Sequence, residues 1–123
     1  MRFARSKELQ ERLRRVVPGG CHTYAKGVDQ YPELAPGVIA RGLGCHVWDV
    51  DGNEYVDYIL GLASITLGYA YPAITEAVTR QVAEGSIFSL PHPLEVEVAE
   101  RLTEVIPCAE MARFVKTGSE ADA

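Results

Sequence analysis

The alternation of residues on either side of Asp51-Gly52 constrains this chain more than any other feature. Val47, Asp49, Tyr55 and Asp57 alternate with Trp48, Val50, Val56 and Tyr58. Side chains two apart share one face of a strand. Two such segments around Asp-Gly therefore predict an antiparallel hairpin with one wet face. Residues 38–41 predict a short strand ahead of the hairpin, followed by the glycine-bounded stretch 42–44.

Helical spacing appears on both sides of this region. Leu9, Leu13, Val16 and Val17 fall on one helical face, Ser6 is placed to cap it, and Pro18-Gly19-Gly20 ends it. Residues 21–37 carry Gly27, Pro32, Pro36 and Gly37 without periodicity and predict a long loop, a length usually tied to a site. The small, apolar stretch 61–68 reads as a close-packed connection rather than a helix. Pro72 opens a second helix whose stripe is Ile74, Ala77, Val78 and Val82, closed by Gly85. Leu94, Val98, Leu102 and Val105 mark a third, with Pro107 beyond it. Residues 113–116 predict a short buried strand, and 117–120 turn out of it into a helix start at 121–123.

One strand of a presumed parallel sheet needs neighbours. A helix that begins one turn before residue 123 has little to propagate into. The expectation is a piece of a larger α/β domain, aggregation-prone and inactive alone, with apolar faces left uncovered.

Composition excludes several classes. The formal net charge of −5 lacks the basic excess that a nucleic-acid surface uses, and Arg12, Arg14 and Arg15 are interleaved with Glu8 and Glu11 as on a solvated helix face. No apolar run is long enough to span a bilayer, and no apolar segment follows the N-terminal charges, so the expected location is the cytoplasm. Cys21, Cys45 and Cys108 form no CxxC pair, which supports neither a zinc site nor a disulfide framework. Cys21 adjoins His22, yet sequence neighbours rarely form a nucleophile–base pair, so they read as loop residues.

Thr117-Gly118-Ser119-Glu120 is the main chemical feature. A strand that ends in a glycine turn and opens a helix presents free backbone donors and a positive dipole end. Gly118 permits close approach of a phosphate, and the Ser119 hydroxyl adds a donor. By geometry alone, such a turn is more often a helix cap than an anion site.

Several segments, in order, resemble class III aminotransferases. Gly-Cys-His-Val-Trp-Asp-Val-Asp-Gly-Asn-Glu-Tyr-Val-Asp-Tyr at 44–58 resembles the family's N-terminal hairpin. Leu67-Gly68-Tyr69-Ala70-Tyr71-Pro72 resembles its Leu-Gly-His-x-x-Pro turn, and Phe114 to Ala121 its phosphate-binding turn. Within the family the chain is most similar to the glutamate-1-semialdehyde 2,1-aminomutase group, through Pro18-Gly19-Gly20 and the Thr-bearing loop after it. On that match Thr23 stands for a substrate-contacting serine and Lys26 for a carboxylate-binding arginine. Lysine lacks arginine's bidentate fork, Tyr24 replaces a proline, and residues 61–64 replace a Ser-Trp-Gly stretch that lines the group's substrate pocket.

The resemblance implies an α/β fold, that of the fold-type-I pyridoxal-phosphate-dependent transferases. Residues 1–68 would belong to the small N-terminal segment and 69–123 would begin the large cofactor domain. It implies a homodimer acting on a small amino or keto substrate, with pyridoxal 5′-phosphate as cofactor and Gly118 and Ser119 as its phosphate donors. The lysine bonded to the cofactor and the aspartate paired with its pyridine nitrogen are expected beyond residue 123. Lys7, Lys26 and Lys116 do not occupy that lysine's place, so no catalytic residue is assigned. Aminotransferase and aminomutase share this chemistry. A non-enzymatic α/β module that binds a phosphate-bearing ligand or a partner is the other reading, and it leaves the hairpin and the long loop unexplained.

Overall fold

The computed structural model describes residues 2–123. Contacts divide the chain into two compact units, Met1–Thr79 and Arg80–Ala123. In the first, helix α1 (Ala4–Val16) leads through short 3-10 turns at Pro18–Gly20, Tyr24–Lys26 and Val28–Gln30 into strands β1 (Ile39–Leu43), β2 (His46–Asp49) and β3 (Glu54–Val56). Helix α2 (Pro72–Glu84) crosses the boundary between the units. Helices α3 (Pro93–Val105) and α4 (Gly118–Ala121) lie in the second unit.

The hairpin forms as expected and gains a third strand. The order is β1-β2-β3, all antiparallel, with Gly42 opposite Val47 and Val47 opposite Tyr55. The first strand therefore belongs to the same meander, and its register slips between Ile39 and Arg41. The Asp51-Gly52 connection spans four residues, 50–53, and the Asp49 side chain organises it. Asp49 Oδ1 accepts from the Asp51 and Asn53 amides at 3.0 and 2.8 Å, and Oδ2 accepts from Asn53 Nδ2 and the Tyr55 hydroxyl at 2.8 and 2.9 Å. Gly52 supplies the positive φ, 87°, that closes the loop.

Ser6 does not cap α1. The helix starts at Ala4, which places Ser6 inside the first turn and buries it. The cap comes from 45 residues away: Asp51 Oδ2 accepts from the Ser6 amide at 2.8 Å, and Oδ1 from the Arg5 amide at 2.9 Å. A carboxylate at a helix N-terminus satisfies orphan donors and is attracted by the positive end of the dipole. Asn53 Nδ2 also donates to the Arg2 carbonyl at 2.7 Å. The expected ion pairing along α1 is seen at Arg12–Glu8, 3.9 Å, on an exposed face where it contributes little.

The covered sheet face carries Val47, Asp49, Tyr55 and Asp57, while Val56 and Tyr58 face outward. Arg41 lies over the Trp48 ring at 3.6 Å. The connection after β3 is not a helix but contains a left-handed turn. Leu60, Gly61, Leu62 and Ala63 have φ of 46°, 61°, 57° and 66°. Each non-glycine residue there costs roughly 1–2 kcal/mol.

In the second unit, α3 begins on a capping box that the apolar stripe did not reveal. His92 Nδ1 accepts from the Leu94 amide at 3.2 Å, and Glu95 Oε1 accepts from the His92 amide at 2.8 Å. The short buried strand expected at 113–116 is absent, and Phe114 and Val115 are exposed. A strand is defined by its ladder, and no described residue offers this segment one. Val78, Val98 and Val105, the apolar stripes of α2 and α3, are likewise about half exposed.

The chain exposes 10310 Å², against about 7,800 Å² for two compact bodies of the same sizes. Val47 is the one buried large apolar side chain among the described residues. Among those residues, no helix is long and apolar enough to cross a membrane.

The Asp49 network makes stability of the first unit pH-dependent. Burial would push its carboxyl up, but the bonds from Asn53, Tyr55 and Asp51 together hold it below the usual carboxylate range. A depressed folded pKa gives stability that is fully present above about pH 4 and lost as pH falls through the lower folded value. Acid titration followed by circular dichroism is expected to show that loss, and Asp49→Asn is expected to cost about 2 kcal/mol at neutral pH by leaving donors unpaired.

Candidate functional site

Four residues were singled out by the sequence, and they form two turns. Thr23 and Lys26 share one turn of the first unit. Gly118 and Ser119 share one turn of the second.

The Thr23 turn is a single 3-10 turn at Tyr24–Lys26, closed by the Lys26 amide donating to the Thr23 carbonyl at 3.0 Å. The Thr23 side chain caps nothing there, and both Thr23 and Lys26 are exposed. Lys26 makes no ion pair with the described residues. Tyr31 steadies the turn by donating its hydroxyl to the Ala25 carbonyl at 2.9 Å. The turn thus presents a hydroxyl and an ammonium three residues apart, a pair that can meet a carboxylate. Cys21 and His22 precede it and share no hydrogen bond.

The Gly118 turn is fixed by a residue that sequence reasoning passed over. Glu120 folds back so that its Oε2 accepts from the Lys116 amide at 3.0 Å, the Thr117 amide at 2.9 Å and the Thr117 hydroxyl at 3.2 Å. Thr117 Oγ1 in turn accepts from the Glu120 amide at 3.3 Å. This is a capping box, and the Thr-x-x-Glu spacing was the signal for it. Lys116 enters the turn through its backbone amide.

The box leaves two donors over. The Gly118 and Ser119 amides have no acceptor among the described residues, and neither does the Ser119 hydroxyl. A Cβ built on Gly118 would meet nothing within 4 Å, and its φ is not in the left-handed region. Neither crowding within the chain nor backbone conformation requires glycine there. The turn therefore offers two adjacent free N–H groups, a hydroxyl and an open approach, which is the donor set that an anionic phosphate ester takes. The Glu120 carboxylate opposes an anion but spends its charge on the two amides before the turn. Among the described residues, no cluster of His, Cys, Asp or Glu is grouped to hold a metal ion.

The chain and its fold have counterparts among known proteins. The family model described as "Aminotransferase class-III" matches residues 24–123. A glutamate-1-semialdehyde 2,1-aminomutase of Chloroflexus aurantiacus is 41% identical over 123 residues, covering 98% of this chain and 27% of that protein. An omega-transaminase from Sphaerobacter thermophilus superposes with a TM-score of 0.85 at 38% identity, over 95% of this chain and 26% of that one. A structure described as a transaminase with PLP bound gives a TM-score of 0.88 at 34% identity, over 99% and 28%. The chain thus spans about a quarter of the length of the relatives it matches.

Thr117→Ala removes both the hydroxyl acceptor and the hydroxyl donor of the box. It is expected to destabilise the α4 turn by about 1 kcal/mol, read as faster amide exchange at Glu120 with α3 unaffected.

Proposed function

We propose, from the premise that this chain belongs to the class III aminotransferase family, that it forms part of an enzyme that moves amino groups on pyridoxal 5′-phosphate. The observation that carries this reading is the pair of unpartnered amides at Gly118 and Ser119, on a turn already fixed by Glu120 and open at the glycine. The phosphate oxygens would accept from those two amides and from the Ser119 hydroxyl. When bound, the cofactor supplies an electron-accepting ring for the carbon that gains or loses the amino group.

The substrate is a small amino or keto compound that bears a carboxylate. Thr23 donates its hydroxyl to that group and Lys26 attracts it as a point charge, without the planar fork of an arginine. The reaction is transfer to a second substrate or migration within one, as in the aminomutases that the chain resembles. An added amino acceptor distinguishes the two: a transferase requires it and a mutase does not.

The finer reading places residues 1–68 in a small N-terminal segment and 69–123 at the start of a cofactor domain, in a homodimeric cytoplasmic enzyme. The half-exposed apolar stripes of α2 and α3 support burial against further protein surface.

The complete protein that carries this chain is expected to turn yellow with pyridoxal phosphate and to keep the ligand through dialysis. Gly118→Val is expected to weaken that binding at least about tenfold, while ligand-free stability stays within about 0.5 kcal/mol. A colourless protein that keeps no ligand overturns the reading and favours a non-enzymatic module. Lys26→Ala is expected to raise KM for a carboxylate substrate about tenfold with cofactor affinity unaffected. An unmoved KM removes Lys26 from the site.

A further inference from the structure

The left-handed turn after the sheet is held from both ends by one carboxylate. Three of its four consecutive positive-φ residues, Leu60, Leu62 and Ala63, are not glycine. Such a run keeps its shape only where its surroundings fix it. At the entry, Asp57 Oδ1 accepts from the Ile59 and Leu60 amides at 2.8 and 3.0 Å. At the exit, Tyr69 is locked onto the end of β1. Its amide donates to the Gly44 carbonyl at 2.8 Å, and its carbonyl accepts from the Gly44 amide at 2.9 Å.

Two glycines make this approach possible. A Cβ on Gly42 would clash with the Tyr69 ring, and a Cβ on Gly68 would lie 3.0 Å from the Gly44 carbonyl oxygen, at a φ of 92°. The Tyr69 hydroxyl then donates to Asp57 Oδ2 at 2.6 Å, which joins the exit to the entry. That hydrogen bond, with burial added, pushes the Tyr69 hydroxyl up. Burial alone would raise the Asp57 carboxyl, yet the bonds from Tyr69, Leu60 and Ile59 hold it low. The exit half of the loop walls a groove of about 390 Å³, whose other side includes Tyr71, Ile74 and Thr75. The loop thus combines backbone strain, a two-ended restraint and a cavity, the combination found at ligand clamps.

We propose that the Tyr69–Asp57 hydrogen bond is a clasp that fixes loop 58–68, and that Tyr69 is thereby a positioning residue for substrate binding. The second clause rests on the amino-transfer reading above. Tyr69 touches no reacting atom. Loosening the loop costs substrate binding and spares the chemical step.

The test uses the complete protein with cofactor and compares Tyr69→Phe, Asp57→Ala and the double variant with the parent. Tyr69→Phe keeps the ring on Gly42 and deletes one hydroxyl. Amide exchange across 58–68 is expected to rise about tenfold, with β1–β3 unchanged. KM is expected to rise about fivefold with kcat within about twofold. The double variant is expected to loosen the loop no more than Asp57→Ala does, because the two residues act through one bond. Parental exchange in Tyr69→Phe, or effects that simply add, overturns the clasp. A loosened loop with unmoved KM, or a fall in kcat alone, overturns the positioning role. If the parent transfers no amino group at all, the functional reading has failed, and the exchange comparison still decides the clasp.

Discussion

The Asp49 carboxylate is the interaction on which the first unit depends. It is nearly buried, at 3% exposure, in a unit whose apolar core is little more than Val47. Its four bonds shape the loop between β2 and β3, and that loop carries Asp51 and Asn53 to the start of α1. One aspartate therefore sets the hairpin geometry, and a second, two residues on, uses that geometry to cap a helix 45 residues earlier in the chain. Where apolar burial is this sparse, directional polar contacts decide which elements meet. Breaking them is costly wherever a buried polar group is left without a partner.

The same logic recurs at Asp57 and Glu120. Each carboxylate gathers neighbouring amides and, in doing so, fixes a turn. At Asp57 the result is a strained loop against a groove. At Glu120 it is a turn whose next two amides are left free. The apolar stripes of α2 and α3 remain about half exposed. In this chain polar side chains shape the turns, and the described residues leave the apolar stripes of α2 and α3 uncovered.

Much of this was legible in the sequence. The period-2 alternation around Asp51-Gly52 gave the hairpin, and the stripes with Pro72, Gly85 and Pro107 gave α2 and α3 within a residue or two. Local signals of this kind do not depend on what else is present. Errors arose where a distant or lateral partner decides. Ser6 has the right chemistry for a cap, but Asp51 arrives from the hairpin and the helix starts earlier. Residues 113–116 have strand composition, but no described neighbour offers a ladder. The capping box at Thr117 shows in the Thr-x-x-Glu spacing and agrees with the helix-cap reading of that turn, whereas the box at His92 lies outside the apolar stripe that marks α3. Of the candidate site, the pairing of Thr23 with Lys26 and of Gly118 with Ser119 follows from adjacency. The Gly118 and Ser119 amides are left free because Glu120 accepts from the Lys116 and Thr117 amides instead, a pairing that the Thr-x-x-Glu spacing signals.

The central claim is that the amides of Gly118 and Ser119 bind a phosphate ester. The most direct measurement is the amide nitrogen and proton shifts of those two residues in the complete, isotope-labelled protein as pyridoxal phosphate is added. The account predicts that both resonances move together and saturate at one ligand per chain, with Thr117 and Lys116, already bonded to Glu120, moving less. Saturable binding that leaves both resonances in place would contradict it.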